Sequence, residues 1–276
     1  MAAHGFPTDT VISDHFSLHM LADGIYAAIS ASDAAVCNTG IIDLGGETLI
    51  FDTFQTPEAA RDLRAAAESL TGRPSTYVVN SHWHEDHIGG NRVFAGTPLI
   101  ATRATRDAMA EQATLANASD SFSYLPDTLF VERYSFGGTR RAELLTYGGG
   151  HTVSDAFLYL PDERIAFMGD LLFNQTHLWM PDGDPDEWER NLREVEKLDI
   201  ATAVPGHGPV GTLADAPRVR QYIADLRGLA EQARANGTSE EAAARIPVPA
   251  AYRAWAYPEY FELNMRFLYA RASRRS

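Results

Sequence analysis

A chain of 276 residues with a formal net charge of −14 is long enough to bury a large core and too acidic to attract phosphate backbones, so nucleic acid is not expected as a partner. Hydrophobic residues at 45% and charged residues at 22% give an ordinary globular composition, and no stretch reaches the length of a membrane span. The lone cysteine, Cys37, cannot form an intrachain disulfide, and the opening "MAAHGFPTDTVISDHF" lacks a basic segment followed by an apolar one. Together these lead to an expected cytoplasmic location, with no membrane partner.

In chain order, short apolar runs come first. "GIYAAIS", "NTGIIDLG" and "ETLIFDT" read as strands, with Gly45 and Gly46 forming a hairpin-like turn. A helix follows: Thr56 can cap it, Pro57 suits its first position, and Gly72 ends it. "STYVVN" is a strand running into "SHWHEDHIGGN", then a helical piece, the strand "TPLIAT" and a helix over 103–118. Residues 119–140 read as irregular and aromatic. "AELLTY", "DAFLYL" and "RIAFMG" are strands again, and Asp184 and Pro185 open a helix that precedes a last strand, "ATAVPG". The expected organisation is a core over 1–216 and a helical extension over 217–276, interrupted by Gly237 and "IPVPA". That extension would pack on the core and could form a lid. Two batches of strands, each followed by helices, indicate an α/β fold with more than one sheet.

Chemistry-bearing residues fall where these strands end. "TYVVN" delivers His82, His84, Glu85, Asp86 and His87; "AELLTY" leads to His151, "RIAFMG" to Asp170 and "ATAVPG" to His207. Loops leaving strands at one sheet edge are the usual seat of α/β chemistry. Histidines at i and i+2 in extended backbone point to similar sides and can share one metal. Asp86 and His87 can address a second, His151 and His207 are available to complete the sets, and a carboxylate such as Asp170 can bridge two cations. Imidazole and carboxylate without thiolate suit Zn²⁺, with Fe, Mn or Co as alternatives. Glu85 reads as a helix-start residue pointing away from the metals. His4, His15 and His19 read as solvent-facing and outside the site.

The ordered set His82, His84, Asp86, His87, His151, Asp170, His207 resembles the signature of the metallo-β-lactamase superfamily, over about residues 36–211. The resemblance implies a four-layer αββα sandwich with a two-metal site at the sheet edges. It implies that His82, His84 and His151 hold one metal, that Asp86, His87 and His207 hold the other, and that Asp170 bridges them. Asp52 looks like the family's upstream aspartate, which supports the metal loop. An aspartate at position 170, where many true β-lactamases carry Cys or Ser, points toward the glyoxalase II and lactonase-like branches; Cys37 lies far from the motif in sequence.

The function expected is that of a dinuclear hydrolase, with two Zn²⁺ ions and a bridging hydroxide that attacks an ester, thioester or lactone carbonyl of a small molecule. Asp86 is the expected catalytic residue, orienting the nucleophile. The alternatives are a β-lactamase and a mononuclear iron persulfide dioxygenase. Phe173, Asn174, His177 and Trp179 follow Asp170 closely enough to be expected substrate contacts. The partner expected is the small-molecule substrate, with a homodimer allowed.

Overall fold

The computed structural model describes residues 13–115 and 117–274. One sheet has seven strands in sequence order: β1 (Phe16–Ala22), β2 (Ile25–Ser30), β3 (Thr39–Asp43), β4 (Thr48–Phe51), β5 (Tyr77–Val79), β6 (Leu99–Thr102) and β7 (Thr128–Phe130). β1 to β4 pair antiparallel, and β4 to β7 pair parallel. The second sheet is ordered β12 (Thr202–Val204), β11 (Ile165–Phe167), β10 (Ala156–Leu160), β9 (Glu143–Thr146), β8 (Arg133–Ser135). β9 and β11 flank β10 antiparallel and β12 pairs parallel with β11, so β9, β11 and β12 all run the same way. Their C-terminal ends therefore emerge at one edge.

Side-chain alternation sorts the core into three layers. Ile25, Ala27, Leu49 and Phe51 face Leu144, Leu158 and Phe167 between the sheets. The intervening residues Tyr26, Ala28 and Ile50 face outward onto Leu63, Ala66 and Ala67 of α1 (Pro57–Thr71). On the other side, Phe157, Tyr159 and Ala203 pack against α4 (Pro185–Val195), α5 (Ala216–Ala235) and α7 (Glu259–Arg274). The result is helix, sheet, sheet, helix. The sheets approach closely enough at Gly40 that an added Cβ would sit 2.6 Å from the Phe167 ring. Three shorter helices, α2 (Glu85–Ile88), α3 (Arg103–Gln112) and α6 (Glu240–Ala244), complete the described α-helices.

Capping follows the sequence signals. The Thr56 side chain accepts from Ala59 N, Gly72 closes α1 at φ 70, and the Asp184 carboxylate accepts from the amides of Asp186 and Glu187. Three expectations need correction. β1 was not anticipated; it pairs with β2 along its length, which leaves His19 exposed and His15 half-buried with Nδ1 3.2 Å from Ser32 Oγ. His4 lies outside the described residues. Residues 119–140, read as irregular, contain β7 and β8, which are too short to show an alternation pattern. α3 stops at Gln112 rather than 118. The C-terminal helices share one apolar cluster with the second sheet: Tyr222, Ile223, Leu226, Phe261 and Met265 pack with Phe157 and Leu192. No described helix is long and apolar enough to cross a membrane.

Candidate metal centre

The polar edge is built from strand ends. β5 runs into Asn80–Ser81 and then the histidine run, β11 into a 3-10 turn (Gly169–Leu171), and β12 into Pro205–Gly206–His207. Asn38, just before β3, clamps this last loop: its amide donates to Pro205 O and Gly208 O at 2.9 and 2.8 Å. Close packing makes glycine necessary at 206, because a Cβ there would lie 1.9 Å from Asp170 Oδ1.

Two donor groups result. His82, His84, His151 and Asp170 form one, and Asp86, His87 and His207 the other; within each, the donor atoms lie within 4.8 Å of one another. His84 Nδ1 is 2.8 Å from His151 Nε2, which is 3.1 Å from Asp170 Oδ2. Asp170 Oδ1 is 3.0 Å from His87 Nε2, and His207 Nε2 is 3.3 Å from both Asp86 Oδ2 and Asp170 Oδ2. Asp170 thus reaches both groups.

The donors fit a cation. His82 Nε2, His87 Nε2 and Asp170 Oδ1 are buried without a hydrogen-bond partner. His87 Nε2 and Asp170 Oδ1 are close, yet their geometry is not that of a hydrogen bond. Buried polar atoms left unpaired are costly, and atoms gathered around common centres instead of aimed at each other suit metal ions that take several lone pairs.

Asp52 decides which nitrogens are offered. It follows β4 in a left-handed conformation, φ 59, fully buried. Its carboxylate accepts from Ser81 N at 2.8 Å and from Ser81 Oγ at 2.7 Å, and it lies 2.8 Å from His87 Nδ1. With the Ser81 hydroxyl proton committed to Asp52, His82 Nδ1, 2.9 Å away, must donate to Ser81 Oγ. In its neutral form each of His82 and His87 then carries its lone pair on Nε2. Asp182 takes the same part for His84, with Oδ2 3.2 Å from Nε2. Asp155 pins the His151 loop by accepting from His151 N and Thr152 N at 2.9 and 3.1 Å, and burial raises its carboxyl to about 6.

Charges in the cluster separate. Burial lowers His82 well below the ordinary imidazole range and His151 to about 3. Burial opposes the charge on His207 too, but the Asp170 and Asp86 carboxylates outweigh it and raise it to about 9. His87 rises likewise, against its burial, among Cys37, Asp170, Asp86 and Asp52. Asp86 falls to about 2 and Asp170 well below the usual carboxylate range, because facing imidazoles overcome the cost of burial. Without metal, the cluster is an internal ion-pair network whose carboxylates are already ionised.

A cavity of about 360 Å³ opens above the donors. Phe173 and Trp179 line it, together with Trp83, Phe122, Tyr257 and Tyr260. Asn174 and His177 do not. The Asn174 amide turns away to donate to Pro209 O at 3.0 Å, and His177 is fully buried with Nδ1 2.7 Å from the Tyr222 hydroxyl. Glu85 begins α2, belongs to neither donor group, lines the cavity and accepts from Ser121 Oγ at 3.2 Å. Cys37 is distant in sequence but near in space: it is buried beside His87, and burial pushes its thiol up to about 12. Sequence reasoning missed Asp182, Asn38 and the cavity-lining role of Trp83. Only Trp83, inside the histidine run, carried a local signal.

A family model described as the metallo-beta-lactamase superfamily matches residues 33–207. The chain belongs to the metallo-beta-lactamase superfamily. It is 28% identical over 191 residues to the 2,4-dinitroanisole O-demethylase subunit alpha of a Nocardioides species, covering 68% of this chain and 54% of that protein. It is 27% identical over 225 residues to the type 2 metallo-beta-lactamase of Bacteroides fragilis, covering 77% and 87%. The hydroxyacylglutathione hydrolase of Erythrobacter litoralis is 25% identical over 157 residues, 57% of this chain and 56% of that one. The chain thus spans about half of the demethylase subunit and of the hydroxyacylglutathione hydrolase. A solved metallo-beta-lactamase from Pontibacter korlensis superposes with a TM-score of 0.66 at 21% identity, covering 76% of this chain and 99% of that one. This likeness shows the shared superfamily fold.

Proposed function

We propose that this chain is a dinuclear metal-dependent hydrolase, with zinc as its metal, acting on the ester, thioester or lactone carbonyl of a small molecule. The observation that carries the reading is Asp170, whose two oxygens stand 3.0 Å from His87 Nε2 and 3.1 Å from His151 Nε2, between the two donor groups. His82, His84, His151 and Asp170 would hold one cation, and Asp86, His87 and His207, with Asp170 shared, the second. Bound there, the pair supplies a water of lowered pKa and a Lewis acid for the carbonyl oxygen.

The remaining work falls to the protein. Asp52 fixes the tautomers of His82 and His87, so their lone pairs face the donors' common centres. Asp86 lines the cavity and stays ionised, so its carboxylate accepts a hydrogen bond from the attacking water and orients it. Its low basicity suits orientation better than permanent removal of a proton.

Turnover of a panel of lactones, thioesters, aryl esters and β-lactams tests the proposal. Hydrolysis of a lactone, thioester or ester that chelation abolishes supports it, and an Asp170→Ala variant should lose metal and turnover together. Full metal content and activity in that variant would refute the shared role of Asp170. A β-lactamase is the second reading, favoured by the Bacteroides relative, 87% of which is matched. A chromogenic β-lactam turned over faster than every other member of the panel would establish it instead.

A further inference from the structure

We infer that the cavity wall selects a substrate whose body, away from the reacting carbonyl, is aromatic or apolar and neutral or cationic, and that it rejects bodies bearing a negative charge. The inference rests on the hydrolase reading of the same site and narrows its substrate class.

Two sets of rings make the wall. Trp83 lies 6.4 Å from Phe122. Tyr260 packs edge-on to Trp179 at 5.2 Å and stacks with Tyr257 at 5.4 Å, and the Tyr257 ring reaches to 6.3 Å from that of His207. Large rings held by one another offer a flat apolar surface at little entropic cost. At about 360 Å³ the cavity lies near the lower end of the roughly 300–1,000 Å³ typical of small-molecule sites.

The charges on this wall are all of one sign. Outside the donor cluster, the ionisable acids lining the cavity are Glu85 and Asp182, and among the described residues no Lys or Arg lines it. The Asp182 carboxylate is held on the wall by two contacts: Trp179 Nε1 donates to it at 2.7 Å, and its Oδ2 lies 3.2 Å from His84 Nε2. Away from the donor cluster, an anionic group on the body would meet two carboxylates and no Lys or Arg, whereas a cation would meet carboxylates and ring faces. A glutathione thioester, whose body carries two carboxylates well away from the scissile bond, fits this wall poorly. A neutral lactone or aryl ester fits it well.

Binding separates this inference from the hydrolase reading, because it needs no turnover. Three slowly hydrolysed probes, acetanilides bearing a 4-methyl, 4-trimethylammonio or 4-sulfonato group, are titrated calorimetrically into the metal-loaded protein. The neutral and cationic probes should bind about tenfold or more tightly than the sulfonate, with the gap narrowing in high salt. Glu85→Gln should shrink the gap severalfold, and replacing Gln55, a neutral residue that also lines the cavity, by Lys (Gln55→Lys) should tighten sulfonate binding. Equal or tighter binding of the sulfonate by the unmodified protein overturns the inference, as does absence of saturable binding by all three. A gap unmoved by both substitutions overturns its assignment to this wall. Failure of every ester, thioester and lactone in the turnover panel would instead count against the hydrolase reading.

Discussion

At the scale of single residues, the site depends on groups that hold no metal-donor position. Asp52 orients His82 through Ser81 and His87 directly, so Asp52→Asn should weaken metal binding by about 10–100-fold, as outer partners of metal ligands do, while the fold persists. Competition with a chelating dye reads this out, and unchanged affinity would reassign Asp52 to packing. Gly206→Ala should displace Asp170 and cost both metal and activity, measured by elemental analysis of the purified variant. The raised histidines set a pH dependence. A histidine raised to about 9 from 6.5 stabilises the metal-free fold fully below the lower value, and that contribution is lost as pH rises through the upper one. Metal binding requires the deprotonated ring and runs the other way, so affinity should climb as pH rises toward about 9. Loading near neutral pH should then release protons, seen as calorimetric heats that change with the buffer's ionisation enthalpy. That these seven side chains would be brought together was legible in the sequence because each follows a strand end in a dense or ordered pattern. Asp182 was not, because nothing local marks an aspartate that meets a histidine 98 positions away.

Among elements, the legible ones have caps or long apolar periodicity. α1 and α4 could be read from Thr56, Pro57, Gly72, Asp184 and Pro185, since each signal is a local backbone requirement. β7 and β8, of three residues each, were not readable, because their partners and not their own sequence make them strands. α7 shows why aromatic spacing alone did not divide core from cavity. Phe261 and Met265 pack in the core, and Tyr260 lines the cavity, on one helix. The two roles predict different variants. Met265→Ala should cost about 2–5 kcal/mol in urea unfolding, as fully buried large-to-small changes do. Tyr260→Ala should instead raise KM with a stability change within about 1 kcal/mol. Equal stability losses would place both side chains in the core.

At the scale of the molecule, two sheets bring four separate strand ends to one edge, and the charge network there is poised for cations. Metal should therefore act as a folding ligand. An ion present at about 1,000 times its Kd stabilises by about 4 kcal/mol, so chelation should lower the melting temperature by roughly 5–15 °C. Double-sheet architecture was legible from two batches of strands, but the clamp of Asn38 onto the His207 loop, across 167 residues, was not. The most direct test of the central claim is the metal stoichiometry of protein purified without added metal, measured together with protein concentration. Two divalent ions per chain, predominantly zinc, are expected, falling together in Asp170→Ala. A single iron per chain, accompanied by oxygen consumption with a persulfide, would contradict it.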